Sequence, residues 1–160
     1  MSEPICIHPG IHAQIAPGRP AIIMGGSGET VSFADLETRS RRLSQLFRSH
    51  SLKAGDAIAI LMENRADYLV ITWAAQRAGL YFTPVNWHLK IEEAAYVIED
   101  CGAKLLIASH AIADLAKQVS SRIPKNIIRY SVGGTIDEYE SLESASVAMA
   151  EAVSYTHLTL

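Results

Sequence analysis

The run Ala57–Met62 (AIAILM) is apolar at every position, and no other feature constrains the fold as strongly. A strand with no polar side must be buried on both faces, as the interior strands of a parallel sheet are. The surroundings repeat the theme. From Gly55 to Ser109, short apolar runs alternate with helical patterns, which is the rhythm of a helix-covered parallel sheet. Right-handed crossovers then put helices on both faces.

The order of elements follows from the same patterns. Residues 1–19 hold Pro4, Pro9, Gly10, Pro17 and Gly18, and are expected to form an extended N-terminal segment. Ala21–Met24 and Thr30–Phe33 read as a β-hairpin joined by Gly25-Gly26-Ser27-Gly28-Glu29. Ser32 caps a helix with Asp35 three residues on. Leu36, Leu43, Leu46 and Phe47 form its apolar stripe, and the helix should end near His50. The basic cluster Arg39, Arg41 and Arg42 reads as its solvated face. After the strand Ala57–Met62, Asn64 is the expected N-cap of a helix over Arg65–Ala78, with Asp67 in the first turn and Gly79 as its stop. That helix is apolar nearly all round, so further structure is expected to cover it.

Tyr81–Val85 reads as a short strand ended by Pro84. The helix Ile91–Cys101 has Ile91, Ala94, Ala95, Ile98 and Cys101 on one stripe. Glu92, Glu93, Glu99 and Asp100 face water. Gly102 stops it. Lys104–Ala108 is the next strand, His110–Ser120 a helix with Ile112, Leu115, Ala116 and Val119 inward, and Asn126–Val132 a further strand. Asp137–Ala152 reads as an acidic surface helix. Residues 153–160 break the style of the rest and read as a non-native tail. The expected class is α/β: a parallel-rich sheet with helices on both faces plus an N-terminal β-hairpin.

Charge excludes some partners. The net charge of −3 and pI near 6.0 argue against a nucleic-acid groove or a polybasic membrane patch, both of which need clustered Lys and Arg beyond the one spot at Arg39, Arg41 and Arg42. The N-terminus lacks the basic and apolar blocks of a signal peptide. The longest apolar helix is interrupted by Thr72, Gln76 and Arg77, so no transmembrane segment is expected. A cytoplasmic location follows. Cys6 and Cys101 share no motif, and no disulfide is expected.

Each candidate site has a plain structural alternative. Gly25–Gly28 resembles a phosphate loop, but Glu29 and a strand follow it, where such a loop needs lysine and a helix. Gly133-Gly134 has the same defect. His8 and His12 are four apart, yet Pro9-Gly10 argues against a regular helix there, and no third metal ligand is near. Adjacent carboxylates such as Glu92-Glu93 and Glu99-Asp100 project in different directions and cannot form a catalytic pair. Asn86, Trp87 and His88 follow a strand at the sheet edge where α/β proteins hold ligands. There Trp87 offers an apolar plate and His88 a titratable ring. The plain alternative is that Asn86 ties the turn, Trp87 packs and His88 faces water.

Four segments carry a family resemblance: Thr30–Leu36 (TVSFADL), Leu52–Asn64 (LKAGDAIAILMEN), Trp73–His88 (WAAQRAGLYFTPVNWH) and Glu93–Leu106 (EAAYVIEDCGAKLL). In order and spacing they resemble the N-terminal part of AMP-forming acyl-CoA synthetases. These belong to the adenylate-forming superfamily of luciferases and peptide-synthetase adenylation domains. Val85-Asn86-Trp87-His88-Leu89 looks like the bacterial fatty-acid-CoA ligase branch. The resemblance covers roughly residues 20–150 and assigns residues 20–152 to the first part of the large N-terminal domain. It implies a two-step reaction: a fatty acid attacks ATP to give an acyl-adenylate and pyrophosphate, and the thiol of coenzyme A then displaces AMP. Magnesium would bridge the phosphates.

The resemblance also fixes what is missing. The family's Ser/Thr/Gly-rich phosphate loop, its magnesium carboxylate and its C-terminal lysine have no match here. No catalytic, cofactor-binding or metal-binding residue carries over. ATP, magnesium and coenzyme A are expected for a complete parent enzyme and none for this chain, which is expected to be inactive alone. A homo-oligomer is left open. Two other classes remain: a stand-alone flavodoxin-like nucleotide- or flavin-binding module, and a non-catalytic interaction domain. The first needs a phosphate-binding turn that the strand ends lack.

Overall fold

The computed structural model describes residues 8–149. The expected extended opening is instead a helix, α1 (Pro9–Ile15). Pro9 takes a first-turn position, where its missing N–H costs nothing, and His8 Nδ1 accepts from Gly10 N at 3.1 Å. Pro-Gly here starts the helix rather than breaking it. Strands β1 (Pro20–Ile23) and β2 (Thr30–Ser32) form the antiparallel hairpin. Its turn closes by Met24 N to Glu29 O and Gly28 N to Met24 O, with Gly28 at φ 73°. The hairpin-turn expectation for Gly25–Gly28 therefore holds.

Helix α2 (Phe33–Ser49) begins at Ser32, whose Oγ accepts from Asp35 N. It is followed by β3 (Ala57–Leu61), α3 (Ala66–Ala78), β4 (Tyr81–Val85), α4 (Ile91–Asp100) and β5 (Ala103–Ser109). A 3-10 turn (His110–Ile112), α5 (Ala113–Ser120), β6 (Ile128–Val132), β7 (Glu140–Ser141) and α6 (Leu142–Val147) complete the described chain. The five strands β3 to β7 make one parallel sheet in the order β4-β3-β5-β6-β7. Pro84 lies within β4 rather than ending it. Among the described strands β4 is an edge, where the missing N–H breaks no ladder bond.

Alternation along the strands buries both faces. Ile58, Ile60, Leu105, Ile107, Tyr130 and Val132 join α2 and α3 in one core. Ala59, Leu61, Leu106 and Ala108 join α4 and α5 in the other. Ile22, Val31, Leu36, Ala66 and Val70 knit the hairpin to α2 and α3. The cover that α3 requires thus comes largely from α2 and the hairpin, with Leu69 left 49% exposed.

Two further expectations are corrected. Asn64 lies two residues before the start of α3. The cap position belongs to Arg65, which makes no side-chain cap bond. The acidic stretch after Asp137 gives β7 and the six-residue α6 rather than one long helix. Its continuation past Met149, Cys6 and the tail at 153–160 lie outside the described residues. Gly79 (φ 74°) and Gly102 (φ 64°) stop their helices in the left-handed conformation, as expected.

Candidate functional site

In a sheet ordered like this one the chain leaves β3 toward β4 on one side and returns to β5 on the other. The crevice between the carboxyl ends of β3 and β5 is therefore the topological switch point, the place where open α/β sheets hold ligands. Here that crevice is filled by side chains. Arg65, just past β3, reaches across to Ser109 at the end of β5, with Nη1 donating to Oγ at 3.1 Å. Ser109 is fully buried and donates to Glu63 Oε1 at 3.0 Å. Arg65 Nε donates to Asp67 Oδ2 at 2.7 Å, and Asp67 also pairs with Arg39 of α2.

This network speaks against the flavodoxin-like module. The guanidinium is already matched by two carboxylates, and Glu63 and Asp67 would repel a phosphate. The next strand end is packed beneath it. A Cβ added at Gly133 would lie 2.4 Å from Arg65 Nη1, and one at Gly134 would lie 2.7 Å from His110 Cγ. Gly133 N donates to Glu143 Oε1 at 2.7 Å. The paired glycines serve close approach, not a phosphate.

Asn86, Trp87 and His88 stand at the carboxyl end of β4. Asn86 Oδ1 accepts from His88 N at 3.0 Å, which ties the turn. The rings of Trp87 and His88 lie 3.7 Å apart at 33°. Trp87 is 38% exposed and stands between two open clefts. One is lined by Met62, Asn64, Tyr68, Pro84 and Asn86. The other, about 480 Å³, is lined by His110 and Ala111–Leu115. Burial pushes the Tyr68 hydroxyl above its ordinary pKa.

The other sequence candidates disperse. His8 stacks toward Trp73 at 6.3 Å and His12 toward Phe33 at 4.9 Å, so the two do not share a ligand. Glu92, Glu93, Glu99 and Asp100 are exposed, with Glu93 Oε2 accepting from Lys90 N at 2.9 Å. Cys101 is half-buried with a free thiol. The basic cluster is not simply a solvated face. Arg39 pairs with Asp67, and Arg41 with Glu37 at 2.6 Å, both carboxylates being largely covered. Sequence reasoning missed Arg65, Ser109 and His110. Each lies at or just past the end of a strand, and the strand order that brings them together is a long-range property.

Among the described residues no group of three or more His, Cys, Asp and Glu side chains gathers to hold a metal ion. Magnesium does not fit the donor set of the described residues. Nor is any helix among the described residues long and apolar enough to cross a membrane.

The doubly covered parallel sheet is a fold this chain shares with known proteins. Residues 11–156 match the family described as AMP-binding enzyme. The chain belongs to that family. It is 26% identical over 117 residues to the fatty acid–[acyl-carrier-protein] ligase ScoC of Streptomyces coeruleorubidus, covering 73% of this chain and 22% of that protein. It is 30% identical over 120 residues to long-chain fatty acid transport protein 1 of Homo sapiens, covering 75% and 19%. The anthranilate CoA ligase AuaEII, solved in complex with anthranoyl-AMP, shares the fold. Its TM-score is 0.80 at 15% identity, covering 92% of this chain and 27% of that one. The chain spans about a fifth of the length of the curated relatives it matches.

Proposed function

We propose that these residues are the opening part of an ATP-dependent acyl-CoA ligase that activates a fatty acid as its acyl-adenylate and passes the acyl group to coenzyme A. The observation that carries this reading is the family match over residues 11–156. The fatty-acid assignment draws on Val85–Leu89 and on relatives named for fatty acids. ATP, magnesium and coenzyme A are substrates and cofactor of the complete enzyme, which acts in the cytoplasm. Residues 20–152 form the first part of its large N-terminal domain, and residues 153–160 are a non-native tail. We take this stretch to be inactive by itself; in support, Arg65 at the switch point is already matched by Asp67 and Glu63.

The test is ATP–pyrophosphate exchange by the complete gene product with palmitate, hexanoate and benzoate. Exchange with the aliphatic acids is expected. Exchange with benzoate alone would refute the fatty-acid assignment, and absence of exchange with every acid would refute the ligase. The isolated chain, offered ATP and palmitate in equilibrium dialysis, is expected to hold neither.

A further inference from the structure

Helix α1 is held on its neighbours through two histidines, and His8 does two jobs at its start. Its Nδ1 accepts from Gly10 N at 3.1 Å, which caps the amino end of the helix. Accepting fixes the tautomer: the lone pair is on Nδ1 and the hydrogen on Nε2. The same ring stacks toward Trp73 of α3 at 6.3 Å. It also faces a charge. A Cβ added at Gly10 would lie 2.9 Å from His8 Cε1 and 3.1 Å from Glu37 Oε2, so ring and carboxylate meet across Gly10. Glu37 is already matched by Arg41 of its own helix and by Arg77 of α3. The other titratable group on α1 is His12 in the last turn, whose ring rests on Phe33 at 4.9 Å.

Histidine is the side chain that gains its proton between about pH 8 and 5. A protonated His8 carries N–H on both ring nitrogens, so Nδ1 would point a donor at the Gly10 donor, and the cap bond is lost. The new positive charge sits at the amino end of a helix, where the backbone dipole is also positive. The carboxylate in front of it, Glu37, is shared by two guanidiniums, so the balance of charge there is already positive. A charge on His12 acts in the opposite sense, because it suits the carboxyl end of the helix. We propose that His8 is an acid-released latch. Neutral, it caps α1 and clamps it on Trp73. Protonated, it lets α1 lift from α2 and α3. Release bares Phe33 and Trp73 and lets water reach the Glu37–Arg77 pair that joins the two helices.

The test is amide hydrogen exchange of α1 in the full chain, with each rate referred to an unstructured chain at the same pH. From about pH 8 to about pH 5, the protection of residues 11–15 is expected to fall about tenfold, the size of a lost cap. The discriminating variant is His8→Asn, which keeps a capping oxygen and does not titrate, so its protection should be the same at both pH values. His12→Gln should leave the fall in place. Equal wild-type protection at the two pH values would overturn the proposal. So would an undiminished fall in His8→Asn, or loss of the fall in His12→Gln, since either puts the sensor elsewhere. Low protection of His8→Asn at both pH values also overturns it, because capping is then not what holds the helix. Nitrogen-15 shifts of His8 on the alkaline side give a check that needs no variant: the hydrogen is expected on Nε2, and a hydrogen on Nδ1 contradicts the latch.

Discussion

The two faces of the sheet bury the same strands but hold their helices by different means. On the α4–α5 face the contacts are small and apolar: Ala94, Ala95, Ile98, Ala116 and Val119 meet Ala59, Leu61, Leu106 and Ala108. On the α2–α3 face larger side chains such as Phe47, Leu43 and Ile71 leave the helices joined by charge as well. Glu37 of α2, 7% exposed, pairs with Arg41 on its own helix and with Arg77 of α3. Arg39 reaches Asp67 in the same way. The second face also has an ion pair, Lys117–Asp137, but it lies in water, with side chains 44% and 85% exposed. A charge pair that is covered commits the fold to its partner, because losing one member strands the other. An exposed pair does not.

The largest expected effect tests that contrast directly. Glu37→Ala should destabilise this chain by about 3–5 kcal/mol in urea unfolding, since Arg77 is left with a covered, unmatched charge. Replacing both partners, Glu37→Leu with Arg77→Met, should cost far less than the single change. If the single and double variants cost the same, charge is not what joins this face. On the apolar face, Ile98→Ala should cost about 3 kcal/mol by leaving a cavity, with no dependence on salt. At the carboxyl edge, Gly134→Ala combines a φ of 147° with a clash on the His110 ring. It should cost more than about 1 kcal/mol and move the His110 ring resonances.

The contrast also explains what could be read in advance. Apolar continuity in Ala57–Met62 announces a strand buried twice. Ser32 with Asp35, and Gly79 and Gly102, mark helix ends through chemistry that acts within a few residues. Those elements were legible because their causes are local. The α2–α3 ion pairs were not, because Glu37 and Arg77 lie on different helices, and Arg39 and Arg41 look solvated when α2 is viewed alone. Asn64 has the right chemistry for a cap, yet the helix starts one residue beyond its reach. His8 and Pro9 begin a helix whose cover, Phe33 and Trp73, is supplied from elsewhere. The site was legible only as an edge: Trp87 was visible beside its strand, whereas Arg65, Ser109 and His110 converge only once the strand order is known.

Smaller effects sharpen the comparison. Tyr130, on the charged face, pairs with His50 at 2.7 Å. Burial, with the Glu140 carboxylate beside it, pushes its hydroxyl from 10.0 up to about 12. A raised pKa means the folded state holds the proton more tightly. The contribution is therefore complete below pH 10 and is lost as pH rises through 12. Unfolding midpoints should fall across that window, and Tyr130→Phe should flatten the fall while costing about 1 kcal/mol at neutral pH. The smallest effect belongs to Lys117→Ala. Pairing raises the Lys117 pKa and lowers that of Asp137, but both heads stay hydrated in either state, so neither is stranded when the other is removed. The urea midpoint of Lys117→Ala should match wild type at low and high salt alike. A clear loss at low salt would mean that exposure does not separate the two faces, and that Glu37 owes its effect to something other than cover.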